Sequence, residues 1–229
     1  ARLLHRPGAR VRVCDRRAAD PELAQSLEAL GIECHFASDG PAEIEGRDFA
    51  VWSPGIPLTH PLAVAARAAE VPLLSELELG YRAAQAPLLC ITGTNGKSTT
   101  TDLTGALVRA SGREVEICGN IGRPICDVAD HVGPDGLLVV EVSSFQLETV
   151  DRLKPWVGTW LNLTPDHLDR HGSLEAYAAL KQRLFAGQDE RDFAVWSADD
   201  PVVAAHRAGR ATALEFSRER AVPAGAWAE

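Results

Sequence analysis

Short apolar runs alternate with amphipathic stretches along most of the chain. In the first third, strands are predicted at residues 10–14, 32–36 and 48–52. Helices are predicted at 21–30, opened by Asp20 and Pro21, at the Ala-rich stretch 60–70, and after Ser75 within 73–84. The cycle restarts at 87–91, an apolar run that reads as a buried strand and leads into a helix at 98–110. Further strands are predicted at 114–118, 136–142, 156–162, 193–196 and 211–216, and further helices at 173–185 and 201–208. Strand–helix alternation of this kind argues for parallel sheets with helices on their faces. The pattern predicts an α/β protein of two domains, 1–86 and 87–229. Residues 1–8 read as the tail of a helix, and 218–229 end without an evident finish to their domain. The chain of 229 residues holds no Met, so its natural start is expected upstream.

Composition narrows the picture. Hydrophobic residues make up 45% and charged residues 24%, a globular balance. A net charge of −9 disfavours nucleic acid as a partner, which wants a basic face. No apolar run reaches the length of a membrane span, and no signal peptide opens the chain, so a membrane partner is not expected. Five cysteines, an odd number with no C-x-x-C pair, point to reduced thiols in the cytoplasm rather than to zinc or disulfides.

The candidate chemistry begins at Ile91-Thr92-Gly93-Thr94-Asn95-Gly96-Lys97-Ser98-Thr99. Small residues between a strand and a helix let backbone N–H groups close on phosphate oxygens, and a helix N-terminus adds favourable potential for anions. Lys97 would bring a mobile positive charge and Ser98 a hydroxyl ligand for Mg²⁺. The pattern G-x-x-x-x-G-K-[ST] is met except at its first glycine, where Ile91 stands. An ordinary Gly-rich turn is the competing reading. Downstream, Leu137-Leu138-Val139-Val140 ends in Glu141, and an acid at the end of a strand beside a phosphate loop suits Mg²⁺. After it, Ser143, Ser144, Phe145 and Gln146 would make a polar pocket floor, or one serine would cap a helix.

His167 and His171 stand four apart, a spacing that would share a helix face, but Leu168 replaces the glutamate of H-E-x-x-H. A turn with one metal ligand, and with Asp169 and His171 as surface partners, fits better. Lys181 on its helix reads from spacing alone as a solvated lysine. A GTPase is disfavoured because N-K-x-D is absent, and the D-x-x-G at 130–133 follows a helical stretch.

Together, Thr92 to Thr99, Gly119-Asn120-Ile121-Gly122, Glu141, Asn162-Leu163-Thr164-Pro165-Asp166-His167-Leu168-Asp169 and Lys181 resemble the Mur ligase superfamily across nearly the whole chain. Glu141-Val142-Ser143-Ser144-Phe145-Gln146-Leu147-Glu148 and Ser53-Pro54-Gly55-Ile56 are similar to its D-glutamate-adding branch. The resemblance implies a Rossmann-like first domain without its first strand. It also implies a P-loop mononucleotide-binding α/β central domain cut short at its end, with the C-terminal ligase domain absent. It implies an ATP- and Mg²⁺-dependent amide ligase of peptidoglycan precursor synthesis, acting as a cytoplasmic monomer on UDP-N-acetylmuramoyl-L-alanine and D-glutamate through an acyl phosphate.

By the same resemblance, Gly93, Thr94, Asn95, Gly96, Lys97, Ser98 and Thr99 would hold ATP, with Lys97 on the transferring phosphate. Ser98 and Glu141 would bind one Mg²⁺, His167 a second, and Lys181 would be carbamylated and act as a metal ligand. Asn120, Gln146 and His167 would contact the muramoyl-alanine part, and Asp15, Arg16, Arg17 and Gly55 the uridine end. The family's adenine-contacting Asn motif is not found by Glu229, and the chain alone is expected to make no product. Two rivals stay open. One is a sister ligase adding another amino acid, or glutamate to folate, against which Phe145-Gln146 speaks. The other is a nucleotide-binding module that has lost catalysis, against which Lys97, Glu141, His167 and Lys181 together speak.

Overall fold

A computed structural model describes residues 1–18, 20–207 and 209–228. Two compact units emerge, one of residues 1–50 with 56–73, the other of residues 51–55 with 74–229. The first contains α1 (Arg2–His5), β1 (Arg12–Asp15), α2 (Pro21–Glu28) and β2 (Glu33–Phe36), with β1 and β2 parallel in register Arg12 to Glu33. The Asp20 carboxylate accepts from Glu22 N and Leu23 N, and Pro21 fills the first helical position, which explains where α2 starts. β3 (Ala50–Trp52), α3 (Pro61–Ala68) and β4 (Leu73–Ser75) follow, β3 and β4 forming their own two-stranded sheet. β4 was not predicted, because its three residues are short and run straight into α4 (Glu76–Ala83), which Ser75 caps by accepting from Glu78 N.

The second unit carries a seven-stranded parallel sheet in the order β11-β10-β9-β8-β5-β7-β6. In chain order its elements are β5 (Leu88–Thr92), α5 (Lys97–Ala110), β6 (Val115–Gly119), β7 (Leu137–Glu141), α6 (Ser144–Leu147), β8 (Val157–Trp160), α7 (Leu168–His171), α8 (Leu174–Gln182), β9 (Phe193–Ser197), α9 (Pro201–Ala205), β10 (Thr212–Ser217) and β11 (Gly225–Trp227). β5 and β7, each paired on both edges, read as unbroken apolar runs because both faces are covered. Cys90, Leu138 and Val140 pack into one cluster with Trp160 and Leu184, while Ile91, Leu137 and Val139 pack into another with Val108 of α5. All five cysteines are free thiols, and burial raises Cys90, Cys118 and Cys126 above the ordinary range.

Several predicted ends move. The helix expected over 173–185 is α8 followed by a 3-10 turn, Arg183–Phe185. The helix expected over 201–208 ends at Ala205, and its last predicted residue, Ala208, lies outside the described residues, as does Glu229. β11 was missed because its residues are all exposed and carry no burial pattern. No helix among the described residues is long and apolar enough to cross a membrane.

Candidate functional site

Parallel sheets place ligand sites beyond the carboxyl ends of their strands, where the order of connections reverses. β5 sits there, with β7 on one side and β8 on the other. The loop after β5 turns into α5 at Gly96, whose φ of +82° is left-handed backbone, and no side chain caps that helix end. The first N–H groups of α5 are therefore left without a side-chain cap. The loop is held from the segment after β8: Asn162 Oδ1 accepts from Thr94 N at 3.1 Å and Asn95 N at 2.9 Å, and Asn162 Nδ2 donates to Asn95 O at 3.0 Å. Thr94 Oγ1 donates to Thr164 O at 3.2 Å and accepts from Thr164 N at 3.1 Å. Lys97 folds back so that Nζ donates to Thr94 O at 2.9 Å. Asn95, Gly96, Ser98 and Thr99 are exposed, and Gly93 is buried beneath them.

Glu141 closes β7 on the neighbouring side and is 1% exposed. Its two oxygens accept from Ser98 Oγ at 2.7 Å and from Asn120 Nδ2 at 2.8 Å. Asn120 N also donates to Glu141 O at 2.9 Å, which ties the end of β6 to the end of β7. Gly119 permits that approach: at φ +110° a Cβ there would lie 2.3 Å from Glu141 O. A carboxylate this buried and met only by neutral donors has the chemistry of a hard-cation ligand, and a serine oxygen beside it completes an oxygen pair. The donor set therefore fits Mg²⁺ at Ser98 and Glu141. No cluster of three or more His, Cys, Asp or Glu able to hold a metal occurs among the described residues, so remaining ligands would come from phosphate, water or a modified side chain.

Lys181 corrects the solvated-helix expectation. It is 1% exposed, its Nζ donates to Gly93 O at 2.8 Å and Thr92 Oγ1 at 3.3 Å, and it lies 4.6 Å over the Tyr177 ring. Burial, reinforced by the charge of Lys97, lowers its pKa to about 7. Without a carboxylate partner among its hydrogen bonds, the amine is a buried, readily deprotonated group under the loop between β5 and α5.

The segments after β7 and β8 meet. Ser143 caps α6 in a capping box with Gln146, whose Oε1 accepts from Ser143 N and Ser143 Oγ, each at 3.0 Å. The helix-cap reading of the double serine is met by Ser143. His167 precedes α7 in left-handed backbone at φ +52°, so His167 and His171 do not share a helical face. The His167 ring is about half exposed and lies against Phe145 at 4.8 Å between centroids, tilted by 53°. His171 is not a surface residue as expected: its side chain is 1% exposed, Nε2 is 3.0 Å from Ser144 Oγ, and the ring lies parallel to Tyr177 at 5.0 Å. That burial lowers the His171 pKa. Asp169, its expected companion, is exposed.

Ser98, Asn120 and Glu141 are thus brought together by direct hydrogen bonds, and Lys97 and Lys181 both reach the loop itself. His167 bonds to none of these. In the first unit, Asp15 ends β1 with Oδ1 accepting from Arg17 N at 2.8 Å, a bond that lowers its pKa, while Arg16 and Arg17 stay exposed. Gly55, of the second unit, is an exposed turn residue after β3. No local pattern singles out Asn162 as the loop's clamp, nor Tyr177, Glu148 and Arg170 around α7.

Comparison with known proteins adds an independent line. The family described as the Mur ligase middle domain matches residues 91–224. The chain is 43% identical over 231 residues to a UDP-N-acetylmuramoylalanine–D-glutamate ligase of Pelotomaculum thermopropionicum, covering 99% of this chain and 50% of that protein. It is 45% identical over 230 residues to a protein of the same name from Anaeromyxobacter dehalogenans, covering 99% and 49%. The chain spans about half the length of these curated relatives. Among solved structures, the fold resembles a UDP-N-acetylmuramate:L-alanyl-gamma-D-glutamyl-meso-diaminopimelate ligase of Neisseria meningitides, with TM-score 0.62 and 17% identity over 94% of this chain and 72% of that one. It also resembles a UDP-N-acetylmuramate-alanine ligase of Thermotoga maritima, with TM-score 0.53 and 20% identity over 95% and 49%.

Proposed function

The chain belongs to the Mur ligase family, and we propose that it carries the ATP site of a cytoplasmic amide ligase joining D-glutamate to UDP-N-acetylmuramoyl-L-alanine. The observation that carries this reading is the 2.7 Å bond from Ser98 Oγ to Glu141 Oε2, beside Lys97 at the start of α5. It joins an uncapped helix N-terminus, a mobile cation and a buried carboxylate, which is what a metal-bound triphosphate requires. The names of the relatives support the D-glutamate branch.

In the proposed reaction the γ-phosphoryl of ATP passes to the alanyl carboxylate to give an acyl phosphate. The D-glutamate amine attacks its carbonyl carbon, loses a proton, and the tetrahedral intermediate expels phosphate to leave the amide. Two anions must meet for this, so the chain's work is positioning and charge neutralisation. Lys97 Nζ exchanges the Thr94 carbonyl for a phosphate oxygen. Mg²⁺ held at Ser98 and Glu141 would screen the phosphate charge. The Ser98 hydroxyl then presents a lone pair while Asn120 keeps the other Glu141 oxygen fixed. His167 would serve a second Mg²⁺. Lys181, about half neutral at pH 7, attacks CO₂ through its nitrogen lone pair and releases a proton to give a carbamate, converting a cation into an oxygen ligand.

On the acceptor side, Asn120, Gln146 and His167 would meet the muramoyl-alanine part. With Gln146 Oε1 taken by Ser143, the amide nitrogen is left to donate to substrate. Asp15, Arg16, Arg17 and Gly55 would meet the uridine end. The test is ADP formation by the protein carrying this chain. It should depend on both UDP-N-acetylmuramoyl-L-alanine and D-glutamate, and fall roughly 100-fold or more in Lys97→Ala. Undiminished ligation in that variant, or equal turnover with other amino acids, would overturn the reading.

A further inference from the structure

α7 is a single turn hung between two left-handed residues, His167 at φ +52° and Gly172 at φ +80°, and none of its residues is buried as a whole. A helix of four residues has no stability of its own, so something else must fix it. One of the two contacts that fix it is Arg170. Its Nε donates to Glu148 Oε1 at 2.8 Å and its Nη2 to Glu148 Oε2 at 2.6 Å, a two-pronged pair that leaves the side chains only 17% and 10% exposed. The same guanidinium lies 4.3 Å over the Phe145 ring. The opposite end of that contact chain is His167, whose ring rests on Phe145 at 4.8 Å. Glu148 closes α6, which begins three residues after Glu141, so the pair bolts the turn carrying His167 onto the turn that leaves the strand carrying Glu141.

We propose that Arg170 and Glu148 are positioning residues that set the His167 ring relative to the Ser98–Glu141 pair by clamping Phe145 between guanidinium and imidazole. The proposal rests on the reading of that pair as a metal–nucleotide site. A planar fork suits it, because a guanidinium meets both carboxylate oxygens with two parallel N–H bonds while its flat face covers the ring, a geometry that a point-like ammonium on a flexible stem does not reproduce. His171, through Ser144 and Tyr177, anchors the far end of α7 but does not touch His167 closely, their centroids being 6.4 Å apart.

The test compares the chain with Arg170→Lys, Arg170→Met and Glu148→Gln by NMR of the His167 ring and of the Ser98 and Glu141 amides, titrated with Mn²⁺ in the presence of a non-hydrolysable ATP analogue. Thermal melting checks that each variant is folded, and Arg170→Lys keeps charge and length if the others are not. In the unaltered chain the His167 ring carries an upfield shift from Phe145 and broadens with Mn²⁺. In the variants that shift collapses, and broadening of the ring needs on the order of 10- to 100-fold more Mn²⁺, the size expected when an outer partner of a ligand is lost. The Ser98 and Glu141 responses stay within about twofold. A folded Arg170→Lys whose His167 shift and Mn²⁺ response match the unaltered chain would overturn the proposal alone. An unaltered chain with no response at Ser98 and Glu141 would overturn the underlying reading of the site as well.

Discussion

Lys181 should titrate near neutrality, and the reasons are laid out in its surroundings. The amine is 1% exposed, it is offered only the neutral acceptors Gly93 O and Thr92 Oγ1, and the charge of Lys97 stands close enough to count. Burial is the larger cause and Lys97 the second. With a midpoint of about 7, half the Lys181 amines are neutral at pH 7, against about one in 2,500 for a lysine at the usual value of about 10.4. The consequence for stability has a definite sign. Below pH 7 both folded and unfolded chains hold the proton, and the folded state bears the full cost of a buried cation. Between about 7 and 10 the unfolded chain holds more protons, so stability rises with pH, by at most roughly 4 kcal/mol. Selective ¹³C labelling of lysine reads the midpoint at Cε, and urea unfolding from pH 6 to 10 reads the stability. In Lys97→Met the midpoint moves upward but stays well below 10, since burial remains. A Lys181 midpoint above about 9.5, or a flat stability across that range, would refute the burial argument and with it the chemical basis for carbamylation.

Other changes probe the same scaffold. Asn162→Leu removes the three side-chain hydrogen bonds from Asn162 to Thr94 and Asn95; calorimetry of ATP-analogue binding should show affinity lower by about 100-fold, from net losses of about 1 kcal/mol for each of the three bonds. Gly119→Ala forces a Cβ to 2.3 Å from Glu141 O in left-handed backbone; thermal melting should show a destabilisation of about 1–3 kcal/mol, and the Glu141 amide signal should shift. Glu78 is fully buried and its carboxylate accepts from Asp151 N, Arg152 N, Leu153 N and Arg82 Nε. Glu78→Gln has one acceptor oxygen for four donors, so urea unfolding should report a loss of about 3 kcal/mol.

What the sequence disclosed follows from which signals are local. The strands β5 and β7 were legible because burial on both faces demands unbroken apolar runs, and the loop between β5 and α5 because glycines and a lysine at a helix start have few other uses. Glu141 was legible for a similar reason, a carboxylate at the end of an apolar strand. The burial of Lys181 was not, since a helical lysine looks the same whether water or a phosphate loop lies above it. His171 was misread because its burial comes from Tyr177 and Ser144, neither of which its spacing from His167 reveals. The Asn162 clamp reaches across 67 residues to Asn95, and no local pattern records a partner that far away. Nor does any local pattern mark the pairing of Glu148 with Arg170.

Whether this fold is a triphosphate and magnesium site can be read from backbone amides. With a non-hydrolysable ATP analogue and Mg²⁺, the amides of Gly93 to Thr99 should shift, and replacing Mg²⁺ by Mn²⁺ should broaden first the signals of Ser98 and Glu141. Lys97→Ala should abolish both effects. If the loop stays silent while amides elsewhere in the chain shift and broaden, the nucleotide binds elsewhere and the proposed function fails.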